Sequence, residues 1–465
     1  MKSLSWLLPS AKISFHHSKD SKLLLTKKSD AERKENKITL ADLCREATPL
    51  TCRLNPLLFN GHLQTAWTTL DKTEIPIYYR RKVFEAENPT YQGHFAVDFV
   101  VPPYEAPSND EETDKARVFT LPSGLPPRTA FFTAEGFAAL PSNDNRPMLV
   151  VLHGLTGGSH EIYLRSVLAP LVLENGGWEV CVINSRGCSQ SKITSGILFN
   201  ARSTWDARQT IKWLRINFPN RPLFGIGFSL GANILTNYLG EEGKDCVLKA
   251  AVICANPWNL DVTNIALQRT WLGQQVYAKV MGSNLKKLVY DHIDMLMNNP
   301  RIDLELVKSI KYIHHFDRYV QAPTWGYPSE GAYHRDASSV DSLHAIRIPF
   351  FAIQAEDDPI SAKEALPFHE LTQTPYGVML TTSWGGHIGW FETGGSRWFV
   401  KPAANFLNVI AKEIDLETPF VLENPGMLYG KGLCNGKDTK RPELPPSFEF
   451  DSINRKLSMP IYKSI

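Results

Sequence analysis

The chain has 465 residues, of which 43% are apolar and 21% are charged, and its formal net charge is +2. This composition is typical of a soluble globular protein with either one large domain or two or three smaller ones. The near-zero net charge gives no general reason to expect nucleic acid as a partner or strong attraction to anionic membranes. No run reaches the roughly 20 apolar residues that a membrane-spanning helix requires.

The seven cysteines are scattered along the chain. They form no Cys-x-x-Cys pair and their number is odd, which argues against a zinc site or a disulfide framework. Cys181 and Cys254 lie within apolar, strand-like runs and are predicted to be buried thiols. This usage fits a reducing compartment. We therefore expect an intracellular, cytoplasmic protein, with peripheral attachment to lipid droplets or an organelle membrane as the alternative.

The N-terminal residues 1–48 are polar and mixed in charge, and we expect a disordered or loosely packed leader there. The first nineteen residues are basic and contain no acidic side chain, which leaves a transit peptide or a membrane-surface segment as alternatives. Early strands are predicted at 75–79 and 95–101. A surface insertion rich in proline, serine and acids follows from Pro103 to Arg128.

Six apolar runs then predict the central strands of a parallel sheet. They lie at 148–152, 178–183, 222–228, 248–254, 348–353 and 377–381. Helical patterns fill most of the gaps, as in Ser203 to Asn217, where Ser203 or Thr204 is expected to cap the helix. Strands that alternate with helices predict right-handed crossovers and a mostly parallel sheet with helices on both faces.

One gap between core strands, residues 258–345, is too long for a single helix, and we interpret it as an inserted helical cap over the C-terminal edge of the sheet. Extra helices packed elsewhere are the alternative. The core is then 49–257 together with 346–415, and 416–465 is a tail that wraps the surface or is disordered. Six aromatic side chains of the cap are expected to line an apolar pocket: Trp258, Trp271, Tyr277, Tyr312, Phe316 and Trp325.

The most informative motif is Gly227-Phe228-Ser229-Leu230-Gly231, which reads Gly-x-Ser-x-Gly between a predicted strand and a predicted helix. Such a sharp turn holds a serine hydroxyl at a strained corner, and small residues on either side let strand and helix pass closely. A serine hydroxyl becomes a good nucleophile only when a base removes its proton. The base is usually a histidine that a carboxylate orients.

Both partners follow later strands in the expected order of serine, acid and histidine. His387 lies in a glycine-flanked loop after the sixth strand, and three adjacent acids follow the fifth. The usual spacing places the carboxylate directly before Pro359, which favours Asp358, with Asp357 as the alternative. If the alternation of side chains along the strand continues into the turn, Glu356 points to the side of the turn away from the catalytic groups. We predict that Ser229, His387 and Asp358 are the catalytic residues.

An oxyanion hole is expected from two backbone N–H groups, those of Leu155 and Leu230. Leu155 belongs to the loop His153-Gly154-Leu155-Thr156-Gly157-Gly158 after the first core strand, and Leu230 directly follows the serine. His153 is a second candidate base in principle, but we expect it to brace this loop through hydrogen bonds.

These residues resemble the α/β-hydrolase fold, and in particular the subfamily of bacterial YheT-like members and fungal medium-chain fatty-acid ethyl ester synthase/esterases. The resemblance covers most of residues 50–415. Besides the segments above, it is carried by Asn60-Gly61-His62-Leu63-Gln64-Thr65, Asn184-Ser185-Arg186-Gly187-Cys188, and Tyr333-His334-Arg335-Asp336-Ala337-Ser338-Ser339.

The resemblance implies a serine esterase for medium-chain acyl esters that also transfers the acyl group to ethanol or another short alcohol. The partners are then a small acyl ester and an alcohol, with peripheral contact at lipid surfaces and with no metal or organic cofactor. A monoacylglycerol lipase or a thioesterase with the same three residues is an alternative. A non-catalytic lipid-binding homologue is the alternative from a different class, and the oligomeric state is left open.

Overall fold

The computed structural model describes residues 10–28, 37–105, 118–174 and 177–423. The strands in these ranges, in chain order, are β1 Ile13–His16, β2 Lys22–Thr26, β3 Lys37–Thr39, β4 Tyr78–Glu85, β5 His94–Val101, β6 Thr129–Phe131, β7 Met148–Leu152, β8 Glu179–Asn184, β9 Leu223–Phe228, β10 Leu248–Cys254, β11 Phe350–Ala355, β12 Gly377–Thr382 and β13 Val421–Glu423.

The α-helices of the same ranges are Leu40–Ala47, Gly61–Trp67, Ala134–Ala138, Ile162–Ala169, Trp205–Asn217, Leu230–Glu242, Leu260–Arg269, Lys279–Asp291, Ile293–Leu296, Leu304–Ser309, Ile313–Phe316, Ala322–Trp325, Glu330–Ala337, Phe368–Leu371 and Val400–Glu413. Short π-helical segments at Pro170–Glu174, Gly273–Ala278 and Asp317–Gln321 interrupt or extend some of them.

The main sheet has ten strands within the described residues, in the order β1-β12-β11-β10-β9-β7-β8-β5-β4-β6. The six strands from β12 to β8 run parallel to one another. Only β1 and β5 run against the others, as their antiparallel pairing with β12, β8 and β4 shows. The prediction of a mostly parallel sheet is therefore confirmed.

Helices cover both faces of this sheet, which explains why its central strands are continuous apolar runs. In β7, Leu149 and Val151 belong to a core shared with the helices Ile162–Ala169 and Val400–Glu413. The alternate residues of the strand pack on the opposite face against Trp205–Asn217 and Leu230–Glu242. Cys181 and Cys254 are buried free thiols, as predicted.

The expectation of a disordered or loosely packed leader is wrong for residues 10–28 and 37–48. β1 extends the main sheet by pairing with β12, from Ile13 opposite Thr382 to His16 opposite Met379. β2 and β3 form a small antiparallel sheet with β13, which belongs to the predicted tail. The rest of the predicted leader and tail, residues 1–9, 29–36 and 424–465, lies outside the described residues.

Two other boundaries differ from the prediction. The strand expected at 75–79 starts at Tyr78 and continues to Glu85 through three basic residues. The helix predicted over 203–217 begins at Trp205, and Thr204 occupies its N-cap position without a capping hydrogen bond from its side chain. The hydroxyl of Thr204 instead donates to Glu241 Oε2 at 2.6 Å. Residues 106–117 of the predicted surface insertion lie outside the described residues.

The segment 258–345 is helical, but its helices are shorter than the sequence pattern indicates. Residues 285–297 show a single helical sequence pattern, but the helix Lys279–Asp291 ends before His292, whose backbone is non-helical, and Ile293–Leu296 is a separate helix. Within the described ranges, no helix has both the length and the apolar content to cross a membrane. The division of the chain into a core and a cap stays a prediction.

Candidate active site

The turn at Ser229 has a strained backbone. β9 ends at Phe228 and the helix Leu230–Glu242 begins directly afterwards, with Ser229 between them at φ +52° and ψ −118°. A positive φ is costly for a residue with a side chain, typically about 1–3 kcal/mol, and persists where the surroundings enforce it. Here the Ser229 N–H donates to the carbonyl of Cys254 at 2.9 Å, which anchors the turn to β10.

The two glycines of the motif allow this turn to form. A Cβ on Gly227 would lie 2.5 Å from the Gly231 carbonyl oxygen. A Cβ on Gly231 would lie 2.4 Å from the carbonyl oxygens of both Leu152 and His153. These contacts are with backbone atoms, so no side-chain movement could relieve them. The close approach of strand and helix that the sequence predicts is confirmed.

The structure brings Ser229, His387 and Asp358 together as a chain of two hydrogen bonds. His387 Nε2 lies 2.8 Å from Ser229 Oγ, and His387 Nδ1 lies 2.7 Å from Asp358 Oδ2. All three residues are buried. The second carboxylate oxygen of Asp358 accepts from the N–H groups of Ile360 and Ser361 at 2.7 and 2.8 Å. In this arrangement His387 can accept the serine proton while the carboxylate stabilises the resulting imidazolium.

Asp357 and Glu356 have different contacts. Asp357 Oδ1 accepts from the N–H groups of Gly385 and Gly386 at 2.9 and 3.0 Å, so it supports the loop that carries His387. Burial raises the pKa of the Asp357 carboxyl, although these backbone hydrogen bonds oppose the shift. Glu356 accepts from Thr381 and pairs with Lys363. Asp358 is therefore the one of the three acids in contact with His387, and its catalytic role stays a prediction.

Thr65 is a positioning residue that the sequence analysis did not identify. The His387 N–H donates to Thr65 Oγ1 at 2.8 Å, and the Thr65 hydroxyl donates to the Gly61 carbonyl at 2.6 Å. The helix Gly61–Trp67 thus holds the histidine loop, and a Cβ on Gly386 would lie 2.4 Å from the Gly61 carbonyl oxygen. The only available signal was the motif 60–65, to which no role had been assigned.

His153 braces the loop after β7, as predicted. Its Nδ1 lies 2.6 Å from the Gly154 carbonyl, and its Nε2 accepts from the Ser185 N–H at 3.0 Å. Burial lowers the pKa of His153 to about 4, so the ring is neutral at physiological pH. Both ring nitrogens are occupied, which leaves neither of them available as a second base.

The expected oxyanion donors lie beside the serine. A Cβ on Gly154 would be 3.4 Å from Ser229 Cβ, and Leu155 is the next residue. Leu230 is the first residue of its helix, where an N–H has no partner within the helix. The assignment of these two N–H groups to an oxyanion hole stays a prediction.

Two cavities meet at Ser229. The inner cavity, about 740 Å³ including space open to solvent, is lined by Ser229, Leu155, Leu230 and mainly apolar side chains of the helical segment 258–345. The wide cavity, about 1590 Å³ on the same measure, is lined by Ser229, His387 and several hydroxyl-bearing side chains. Helices of the segment 258–345 therefore lie above the nucleophile.

The expectation for the six aromatic side chains is only partly right. Phe316 lines the inner cavity and Tyr277 the wide one. Trp258 is instead fully buried in the main core, and Trp325 packs against Trp205 with ring centroids 4.9 Å apart. Trp271 is 73% exposed. Tyr312 stacks on His314 and lines neither cavity.

Comparison with known proteins gives consistent matches. Residues 147–370 match the family model described as "alpha/beta hydrolase fold". The chain is 34% identical over 412 residues to a monoacylglycerol lipase of Saccharomyces cerevisiae, and the match covers 84% of this chain and 89% of the relative. It is 31% identical over 384 residues to the medium-chain fatty acid ethyl ester synthase/esterase 2 of the same yeast, with 76% and 84% covered.

The YheT protein of Escherichia coli (strain K12) is 29% identical over 245 residues, a match that covers 53% of this chain and 71% of the bacterial protein. The sheet order, the strained serine turn and these similarities agree with one another. The chain belongs to the α/β-hydrolase fold family, in the subfamily that includes YheT and the yeast ethyl ester synthase/esterases.

Proposed function

We propose that this protein is a serine ester hydrolase that acts on medium-chain acyl esters through an acyl-serine intermediate at Ser229. The single observation that supports this most strongly is the hydrogen-bonded chain from Asp358 through His387 to Ser229 Oγ, with distances of 2.7 and 2.8 Å. The names of the two yeast relatives, a lipase and an ester synthase/esterase, support the same class of chemistry.

In the proposed reaction, Ser229 Oγ attacks the acyl carbonyl carbon while its proton passes to His387 Nε2. The carbonyl oxygen becomes an oxyanion, which the N–H groups of Leu155 and Leu230 stabilise. The bond to the alcohol oxygen then breaks, and His387 returns the proton to that oxygen. Water then attacks the acyl-serine and loses a proton to His387, the bond from the acyl carbon to Ser229 Oγ breaks, and His387 returns the proton to Oγ as the carboxylic acid leaves. The three side chains and two backbone N–H groups supply every proton transfer and charge contact in these steps.

The second reaction that we propose is acyl transfer to ethanol or another short alcohol. An alcohol replaces water as the attacking group, and its proton also passes to His387. The wide cavity leads to His387 and is large enough to hold an alcohol beside the acyl-serine. The name of the second yeast relative supports this reaction for the subfamily. Alcoholysis competes with hydrolysis according to the occupancy of this cavity by alcohol or water.

Monoacylglycerol is a second substrate candidate, favoured by the polar side chains of the wide cavity. Thr65, Thr68, Thr69, Thr156 and Asn284 line it and can bind the free hydroxyls of a glycerol group. Its one lining arginine, Arg397, is paired with Asp71 at 2.8 Å, and Glu161 lines the same space. This charge balance favours a neutral alcohol group over an anionic phosphate headgroup. A thioester substrate would use the same three residues, but no contact favours it.

We also propose that the enzyme meets its substrate at a lipid surface. Val276 and Val280 line the wide cavity and are partly exposed, and Trp67 precedes the lining residue Thr68. Exposed apolar side chains around a cavity for acyl esters favour peripheral contact with lipid.

A fluorophosphonate probe together with an ester series tests the proposed function. We expect the native chain to be labelled, Ser229→Ala to remain unlabelled, and p-nitrophenyl esters of medium-chain acids to be hydrolysed fastest. Addition of ethanol should divert part of the product to ethyl esters, and monoacylglycerols should release glycerol. Labelling that persists in Ser229→Ala would contradict the assignment. Absence of both labelling and turnover in the folded native chain would instead favour a non-catalytic lipid-binding protein.

A further inference from the structure

Two cavities meet at Ser229, but His387 lines only one of them. The inference drawn from this difference rests on the proposed function. His387 must give its proton to the oxygen of the departing alcohol, so the alcohol part of the ester lies on the side of His387. His387 lines the wide cavity but not the inner one. The acyl chain therefore enters the inner cavity, past Leu155 and Leu230.

The inner cavity contains more polar side chains than an unsubstituted acyl chain requires. Its lining includes Thr263, Asn264, Gln321 and His334 among leucine, methionine and phenylalanine side chains. Four polar atoms of these residues are buried and have no hydrogen-bond partner among the described residues: Thr263 Oγ1, Asn264 Oδ1, Gln321 Oε1 and His334 Nδ1. Thr263, Gln321 and His334 are only 6%, 3% and 3% exposed. Because a buried polar atom without a partner is costly, this concentration around one cavity indicates a polar ligand group.

The other contacts of these residues restrict the chemistry of that group. Gln321 Nε2 donates to the Phe199 carbonyl at 2.9 Å, which leaves its oxygen as the unpaired acceptor. Asn264 also has an unpaired oxygen, whereas the unpaired Thr263 hydroxyl is able both to donate and to accept a hydrogen bond. A carboxylate would be repelled by these oxygens and by Asp317, which also lines the cavity. A ketone could only accept hydrogen bonds and would leave both amide oxygens unpaired.

His334 completes this polar cluster. Its Nε2 lies 2.8 Å from Asp317 Oδ2, so the ring is fixed and its Nδ1 is the atom left unpaired. Burial lowers the pKa of His334, but the hydrogen bond and charge of Asp317 outweigh that effect and raise it. The ring can accept a hydrogen bond at Nδ1 when neutral and donate one when protonated. A neutral hydroxyl fits this mixed set, because it can donate its one proton to one of the acceptors and accept a hydrogen bond from Thr263.

We propose that the inner cavity recognises acyl chains that carry a hydroxyl group, which binds among Thr263, Asn264, Gln321 and His334. A plain alkyl chain fits the apolar part of the cavity but leaves the four polar atoms unpaired. A site built to pair with a substrate hydroxyl discriminates against the analogue that lacks it, because the site's own polar atoms then stay unsatisfied. The preferred substrates are therefore hydroxyacyl esters.

The experiment compares kcat/KM for p-nitrophenyl decanoate with that for its hydroxylated isomers, with the hydroxyl placed at successive carbons along the chain. We expect at least one isomer to be hydrolysed about tenfold more efficiently than decanoate. Thr263→Val, which removes one hydroxyl at nearly constant shape, should reduce this preference, measured as the ratio of the two kcat/KM values, by about fivefold. Gln321→Met tests the same preference independently.

Thr324→Val is a matched control. Thr324 is also buried, at 4% exposed, and its Oγ1 also has no partner among the described residues, but it lines neither cavity. The Thr324→Val variant should prefer the hydroxylated isomer over decanoate by the same factor as the native chain. A further arm places the hydroxyl on the alcohol, as in the ethylene glycol ester of decanoic acid, where Thr263→Val should have no selective effect.

The outcomes separate this inference from the proposed function. Hydrolysis of decanoate with no preference for any hydroxylated isomer would overturn the inference and leave the esterase intact. A preference that survives both Thr263→Val and Gln321→Met would also overturn it, as would a dependence on Thr263 that follows the alcohol. Failure of the native chain to hydrolyse any ester would instead reject the proposed function.

Discussion

Replacement of Asp358 and of Asp357 by asparagine tests which acid orients His387. Asp358 Oδ1 accepts two backbone hydrogen bonds, whereas Oδ2 contacts His387 alone. In Asp358→Asn the amide oxygen keeps the two backbone bonds, so the NH₂ group points at His387 Nδ1. That nitrogen must then be unprotonated, and the proton moves to Nε2, which can no longer accept from Ser229. In serine proteases the corresponding reversal of the histidine tautomer costs about 10⁴-fold in kcat.

Asp357→Asn is the matched control. Its amide oxygen can still accept from the Gly385 and Gly386 N–H groups, so the loop of His387 keeps its support. We expect Asp358→Asn to lose about 10³–10⁴-fold in kcat and Asp357→Asn to lose less than about tenfold. Turnover of p-nitrophenyl octanoate measures both, and thermal unfolding verifies that both variants are folded. Equal turnover in two folded variants would refute the reasoning.

Three further predictions concern stability. A carboxyl whose pKa is raised on folding, as burial raises that of Asp357, loses stability as pH rises through the folded value. Asp357→Asn removes this loss, so the melting temperature of the variant should rise relative to that of the native chain as the pH increases above about 4; a difference that does not change with pH would contradict this. Gly231→Ala should abolish fluorophosphonate labelling and lower the melting temperature, because its Cβ would lie 2.4 Å from the Leu152 carbonyl oxygen; unchanged labelling would be inconsistent. Asp98→Ala should lower the free energy of unfolding by about 3–5 kcal/mol in urea titrations, because it leaves the buried Arg81 guanidinium unpaired; a loss below about 1 kcal/mol would argue against that pairing.

The central sheet was predictable because its strands are buried on both faces. Runs such as 148–152 and 377–381 are apolar almost throughout, so they are recognised as buried strands from the sequence alone. The predicted bounds of the six central strands agree with the structure within two residues. The serine turn was predictable for a related reason. Its glycines, strand and helix are adjacent in sequence, so the signal is local.

Other features were not predictable because their partners are distant in the sequence. The strand predicted at 75–79 stops before Arg80, Arg81 and Lys82 because these residues break the apolar pattern, but β4 includes them and Arg81 is buried in a pair with Asp98 on β5 at 2.7 Å. Thr65 contacts His387 across 322 residues, which no local pattern reveals. The adjacent acids Asp357 and Asp358 differ in their contacts only through the shape of the turn. Aromatic composition likewise did not indicate that Trp271 faces outward.

The edge strand β1 has a consequence for the order in which the molecule is built. Its neighbouring residue Lys12 hydrogen-bonds to Ser383 across 371 residues, so this segment is synthesised well before the strand on which it docks. Contacts of such long sequence separation slow folding. Until they form, the outer side of β12 remains an open template for pairing with other chains. β1 thus stays unpaired until β12 has been made, and the covering of the strand that leads to His387 waits for a contact between distant parts of the chain.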